Sequence, residues 1–340
     1  MLRLVPMRFV HLISLLTTFF WQSHSADHPV EGAIPLRPTT KVNIPAESNR
    51  PVYKPARCDA RGEIYFRGYQ VDDRRVPVVR TDTKGQTVKY SLDSDASLAN
   101  GTAYDFSVLP NGNLYQAVQV GEEVYVVAFD QDGRIKQRVR LEKRFWVARA
   151  AALSDTAFLA IGTEIQPPAE ASSKQPPKLF MAIFDEHGQL VRPVVLDPSA
   201  PSDGPDEKLP ILAALSSDAQ AGMDGNLYLL LRTSPPTVYA LDSAGRIMRS
   251  FKVLLPAPKM NAISFSLDKD RMAILFREQF RGMQHNDAGI ITVVDASMGV
   301  EVARYSAGPD LGATLACYHD NDFVFLGRDK ENLALQHAAK

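Results

Sequence analysis

Long runs of like charge are missing from this 340-residue chain, and so is any large net charge: 38 Lys and Arg stand against 39 Asp and Glu. A general affinity for nucleic acid or for an anionic membrane surface therefore has no electrostatic basis. Histidine is sparse, with seven in all. His11 and His24 lie in the first 25 residues and His28 just beyond them. His187 and His319 fall in expected tight turns, and His337 lies near the C-terminus. None has a metal-type spacing to another His or to a Cys, so no metal is expected. No Gly-x-Ser-x-Gly elbow, P-loop or dinucleotide fingerprint occurs, so no catalytic residue and no cofactor is assigned. Helical periodicity is absent after residue 25, which turns attention to strands.

An apolar run stands at the very start. Arg3 and Arg8 form a basic opening, Phe9 to Trp21 an apolar stretch, and Ser23 and Ser25 place small residues at −3 and −1 of a cut after Ser25. This pattern predicts a secretory signal over residues 1–25, too short for a comfortable membrane span, with an uncleaved anchor as the competing reading. No Cys lies near the cut, which argues against a lipoprotein anchor. The expected mature chain keeps 36 basic residues against 39 acidic ones, a net charge of −3. It is expected to be secreted or periplasmic, monomeric and without a membrane span. Asn100-Gly101-Thr102 matches a glycosylation sequon and is read as loop chemistry.

What the chain has in abundance is one repeated phrase. Asp82 to Gly85, Asp130 to Gly133, Asp185 to Gly188, Asp242 to Gly245 and Asp295 to Gly299 each follow an apolar or strand-like pair, and the Asp positions lie 48, 55, 57 and 53 residues apart. A period of that size indicates a repeat architecture. Upstream of each phrase lies a second turn, such as Ala60-Arg61-Gly62, Pro110-Asn111-Gly112 or Met223-Asp224-Gly225, where Gly, Asn and Asp supply the positive φ of tight hairpins. One unit therefore reads strand a, tight turn, strand b, variable loop, strand c, Asp-x-x-Gly turn, strand d. Six four-stranded antiparallel units arranged radially predict an all-β, six-bladed β-propeller. The sixth unit ends without strand d, and Lys41-Val42-Asn43-Ile44 is an orphan strand upstream of the first. The N-terminus is thus expected to complete the last blade. The organisation becomes a signal at 1–25, a tail at 26–40 and one propeller domain at 41–340.

The second blade, Leu109-Pro110-Asn111-Gly112-Asn113-Leu114-Tyr115 followed by Val126 to Arg134, resembles NHL-type and related six-bladed propeller repeats over roughly residues 52–337. That resemblance implies a propeller and leaves the function open. Lactonase-type propellers hold a central metal with inner-strand acids and an Asn. Asp105 and Asp218 could join such a set, but the matching Glu is missing and Arg149 stands between them. Lyase-type NHL enzymes use inner-strand His ligands, and no inner strand here contributes one.

The a–b and c–d turns are short, whereas the b–c and d–a connections vary, as at 163–178, 197–210, 256–261 and 278–288. Function is expected on that loop face. Five residues after the start of each b strand stand Tyr69, Gln119, Thr163, Arg232, Arg277 and Arg328. Three consecutive blades thus offer Arg at one height, suited to a carboxylate or phosphate. Trp146, Arg281 and His285, with Arg144, Phe145 and Phe280, are further candidates on that face. The competing reading is that each Arg ends its strand over apolar neighbours and pairs with local acids. Asp105, Arg149 and Asp218 share a second height on inner strands, as an ion-pair triad or a cation site. Cys58 and Cys317 share a third, in blades that become neighbours on closure. A disulfide and two buried thiols both remain open. The leading expectation is a non-enzymatic propeller that binds an unidentified protein or a small anionic ligand through its loop face. The alternative is a lactonase-like hydrolase or lyase, with or without a metal, at the channel mouth.

Overall fold

Tight turns at regular spacing leave the apolar runs between them no partner but each other, and they pair as strands. A computed structural model describes residues 32–44, 52–68, 75–165, 177–196, 211–278, 288–329 and 332–340, without the side chains of residues 52–54, 328, 329 and 332. The expected signal and the start of the tail lie outside the described residues.

β1 (Ile34–Pro35) and β2 (Arg37–Ile44) precede the first blade. Blade 1 holds β3 (Val52–Cys58), β4 (Ile64–Gly68), β5 (Val78–Thr81) and β6 (Thr87–Tyr90). Blade 2 holds β7 (Thr102–Val108), β8 (Leu114–Val120), β9 (Glu123–Phe129) and β10 (Ile135–Arg140). Blade 3 holds β11 (Phe145–Ser154), β12 (Ala157–Glu164), β13 (Leu179–Asp185) and β14 (Leu190–Pro193). Blade 4 holds β15 (Asp218–Ala221), β16 (Leu227–Leu231), β17 (Thr237–Leu241) and β18 (Ile247–Lys252). Blade 5 holds β19 (Met260–Asp268), β20 (Arg271–Glu278), β21 (Gly289–Asp295) and β22 (Glu301–Ala307). Blade 6 holds β23 (Thr314–His319), β24 (Asp322–Asp329) and β25 (Asn332–Ala339). Each blade is an antiparallel meander, and the first strand of each meets those of its neighbours around the axis. The all-β six-bladed propeller is therefore the observed fold.

The repeated phrase has a local cause. In blade 2, Asp130 Oδ1 accepts the backbone N–H of Asp132 and Arg134, and the Gly133 N–H reaches the Asp130 carbonyl oxygen. Asp185 treats His187, Gln189 and Gly188 in the same way. Gly133 and Gly188 take φ of 85° and 78°, which L side chains rarely adopt. Both also lie hard against the preceding blade, where a Cβ would come within 2.2 Å of the Lys89 carbonyl oxygen and 2.1 Å of that of Arg140. The glycine thus serves both the turn and the seam.

The core lies between blades. Leu159, Ile161 and Ile183 of blade 3 pack with Leu229, Leu231 and Tyr239 of blade 4, all buried. Each such side chain contributes about 1.5–3 kcal/mol of burial, and every blade needs a neighbour on both faces to obtain it. For blade 6 the outer strand comes from the N-terminus. β2 pairs antiparallel with β25, with Val42 opposite Leu335 and Ile44 opposite Leu333. Ile44 is buried with Leu335, Cys317 and Ile64.

Closure is more extensive than residues 41–44 suggested. β2 begins at Arg37, with a register shift between Pro38 and Lys41. Ahead of it, Ile34 and Pro35 pair parallel with Tyr305 and Ser306, so blade 5 gains a fifth strand at its outer edge. Between them Leu36 is buried with Leu275, Ile291 and Phe325, and it donates its N–H to the Ser306 carbonyl oxygen. Isolated Ile34 to Leu36 carries no strand periodicity; the buried Leu36 holds it. Two short helical turns also interrupt the β pattern, Ala96–Leu98 and Ile211–Leu215. No helix among the described residues is long and apolar enough to cross a membrane.

Cys58 and Cys317 form a disulfide between blades 1 and 6, with Cα atoms 5.4 Å apart across 259 residues of sequence. A loop of that length gives a disulfide its largest effect on the unfolded chain. The Cys58→Ser/Cys317→Ser double variant is expected to lose about 2–4 kcal/mol in urea unfolding. A loss below about 0.5 kcal/mol would leave closure to β2 alone.

Candidate functional site

The b strands end where the chain leaves for the loop face, and three of the six aligned positions there, Gln119, Arg232 and Arg277, share a use. Gln119 donates from Nε2 to the Phe145 carbonyl oxygen (3.1 Å) and accepts from the Val147 N–H (3.1 Å), stitching blade 2 to blade 3. Arg277, almost fully buried, donates to the Gly312 carbonyl oxygen (3.1 Å), joining blade 5 to blade 6. Arg232 donates from one Nη to the Ile263 carbonyl oxygen (2.9 Å), joining blade 4 to blade 5. Arg277 is thus tied to the next blade's backbone. Arg328 lies in β24 opposite Leu333, and its side chain is outside the described residues, as is Tyr69. Thr163 faces Trp146 across β11 and β12.

Among the other loop-face candidates, Trp146 is 49% exposed. Phe145 beside it is fully buried and stacks on Phe180 at 4.3 Å between centroids, which makes it core. Arg144 pairs with Glu122 at the rim (3.4 Å). Arg281 and His285, with Phe280, lie outside the described residues.

Arg232 keeps company with the inner-strand constellation. β15 opens with Asp218, and Arg232 follows the last residue of β16, so both stand at the loop-face end of blade 4. Arg57 Nη1 lies 2.6 Å from Asp218 Oδ1, and both side chains are buried. Blades 1 and 4 are three steps apart in a ring of six, so this ion pair spans the central channel. Asp105 Oδ1 accepts the Phe106 N–H, and its Oδ2 accepts the Ala150 N–H of blade 3. Arg149 donates from Nε to the Ser217 carbonyl oxygen of blade 4 (2.9 Å). The expected triad of Asp105, Arg149 and Asp218 is thus gathered, with Arg57 as a fourth member and Arg232 at its edge.

Sequence reasoning missed Arg57 because it pairs with Tyr65, the second residue of its b strand, whereas Asp218 pairs with Leu230, the fourth. Arg57 starts about two residues deeper and reaches up and across. Its flanks, Ala56 and Cys58 in an inner strand, are the signal that could have marked it as a buried charge in need of a partner.

Burial pushes the Asp105 carboxyl above the ordinary carboxylate range; Arg149 and then Arg57 pull it back, while Asp218 adds to the rise. Water reaches the Arg232 side chain, yet the wall around it withholds full hydration. That desolvation lowers its pKa, Asp218 opposes the change, and Arg149 and Arg57 add to it. A cation would have to displace Arg57 from Asp218, and no group of three His, Cys, Asp or Glu able to hold a metal occurs among the described residues. The cluster suits an anion better than a metal.

Two outcomes follow. Asp218→Ala is expected to strand the buried Arg57 charge and cost about 3–5 kcal/mol, most of it recovered in Arg57→Met/Asp218→Leu. Denaturant midpoints of the three proteins decide this, and an Asp218→Ala midpoint equal to wild type overturns the cross-channel pairing. For Asp105, a raised folded-state pKa means that the ionised form opposes folding. This penalty is complete above the folded pKa and fades as pH falls through it toward the unfolded value. Asp105→Asn should therefore gain relative to wild type at pH 7 to 8, and the gain should shrink toward pH 4, in urea titrations across that range.

No family model and no curated protein matches the chain. Among solved structures it is similar to a catalytically inactive virginiamycin B lyase from Staphylococcus aureus, with 15% identity, a TM-score of 0.42, and coverage of 86% of this chain and 82% of that one. It is also similar to YCF48 bound to D1 peptide, at 9% identity and a TM-score of 0.45 over 90% and 98% of the two chains. BamB from Moraxella catarrhalis is similar at 9% identity and a TM-score of 0.40 over 88% and 99%. At these identities the likeness is one of propeller shape, and neither activity nor partner transfers with it.

Proposed function

We propose that this chain is a secreted or periplasmic propeller that binds a ligand or partner protein through its b–c and d–a loop face, without catalysis of its own. The observation that carries this reading is Trp146, a half-exposed aromatic at the loop-face start of β11, three residues from Arg149 on the same strand. An exposed Trp beside Arg groups is the residue chemistry of binding hot spots. Its neighbour Phe145 is consumed by the core, whereas Trp146 stays half exposed. The disulfide accords with an oxidising compartment, where such bridges persist, and thus with the signal-like residues 1–25. The seam duties of Gln119, Arg232 and Arg277 accord with a rigid platform beneath variable loops.

The test is site-specific photocrosslinking in the native host. A benzophenone side chain at position 146 is expected to give a discrete adduct. One at Asn111, on an a–b turn of the opposite face, should give none. The reading fails if position 146 gives no adduct, or if both faces give the same one.

A further inference from the structure

Resting on that loop-face reading, a narrower chemistry can be assigned to the channel mouth. We propose that it accepts the terminal anionic group of the ligand, a carboxylate or phosphoryl oxyanion, on the Arg232 guanidinium, above a floor made by the Arg57–Asp218 pair.

Three observations carry the assignment. The first is the gathering of positive charge: Arg57, Arg149 and Arg232 lie in one cluster, where Arg149 and Arg57 both act unfavourably on Arg232 and Asp218 opposes them. Burial also pushes Asp105 toward its neutral form.

The second is the state of Arg232. Of its donors, one Nη is bonded to the Ile263 carbonyl oxygen; Nε and the other Nη have no protein hydrogen-bond partner among the described residues. The group is solvent-accessible, tethered at one corner by the next blade, and therefore held in place with donors to spare. A tethered fork of this kind binds an oxyanion at less ordering cost than a mobile surface Arg. Binding would also relieve the unfavourable proximity of Arg57 and Arg149.

The third is the floor. Arg57 is 3% exposed and Asp218 likewise buried, and their contact crosses the axis between opposite blades. Arg57 Nε is buried with no hydrogen-bond partner among the described residues, an unmet donor of the kind that a bound anion or the water beneath it satisfies. Because the pair bars the way through, a ligand chain cannot thread past it. The group that reaches Arg232 must stand at a ligand's end.

The experiment uses calorimetry and emission of Trp146, which is the single tryptophan after residue 25. The probes are inorganic phosphate, acetate, phenyl phosphate and diphenyl phosphate. Saturable binding of phosphate or acetate below about 10 mM is expected, and which of the two binds tells phosphoryl from carboxylate recognition. Arg232→Gln should weaken it tenfold or more and Arg232→Lys less, since the charge remains and the fork is lost. Arg134→Gln, in the c–d turn of blade 2 on the opposite face, should leave it unchanged. Melting curves of each variant confirm folding. Phenyl phosphate should bind at least tenfold more tightly than diphenyl phosphate, whose anion is internal. The assignment is overturned if neither anion binds, if a folded Arg232→Gln protein binds like wild type, or if phosphate binds and the two phenyl esters bind alike. Loss of the anion site with retained crosslinking at position 146 would leave the loop-face reading standing.

Discussion

A blade of this fold buries both faces of its sheet, so it is stable only with a neighbour on each side. The sixth blade finds its second neighbour only when the two ends of the chain meet. β2 supplies the outer strand of blade 6, Leu36 and Ile44 bury themselves on either side of it, and Cys58–Cys317 ties the innermost strands at the same seam. The outer edge, the core and the axis are thus each fastened where the ring would otherwise part. The other seams have no such break in the chain and manage with lighter ties. Arg67 donates to the Ala103 carbonyl oxygen, Gln119 brackets Phe145 and Val147, Arg149 reaches Ser217, Gln220 reaches Phe265, and the Ser266 hydroxyl accepts from the Tyr318 N–H. These bonds satisfy inner-strand backbone groups that apolar packing would leave unpaired.

Turn chemistry is local, which is why the architecture could be read from residues alone. An Asp that accepts two N–H groups and a Gly at positive φ mark a hairpin wherever they occur, and their spacing counts blades. The unfinished last unit and the orphan strand Lys41 to Ile44 together called for each other, and the structure pairs them. Ile34 to Leu36 was not legible, because two paired residues carry no alternation and parallel pairing at an edge depends on where Leu36 can be buried.

Height around the ring was also legible, for the inner strands all start from one face. Asp105, Arg149 and Asp218 lie in one cluster with Arg57, and Gln119, Arg232 and Arg277 each reach a backbone carbonyl of the next blade. Direction was not legible. A strand pattern tells how far along the axis a side chain begins; it does not tell whether a long side chain turns inward, sideways to the next blade or upward. Arg277 turns sideways and is buried under Gly312. Arg57 begins about two residues deeper than Asp218, roughly 7 Å of strand, and covers that distance with its own length. Arginine is the residue for which such an argument is weakest, because its reach exceeds the spacing that the pattern resolves.

Why a propeller should hold an ion pair across its axis is a question of geometry more than of stability. Exchanged for apolar residues of similar volume, a buried pair of this kind is often neutral or worse for the fold. What apolar residues could not do is polarise the mouth. With Arg57 matched to Asp218 on the axis, the positive charge of the mouth belongs to the guanidinium nearest water. That group is Arg232, whose lowered pKa reflects both its incomplete hydration and the two arginines behind it. The Arg57–Asp218 pair therefore sets the depth of the mouth, and Arg232 above it sets its sign.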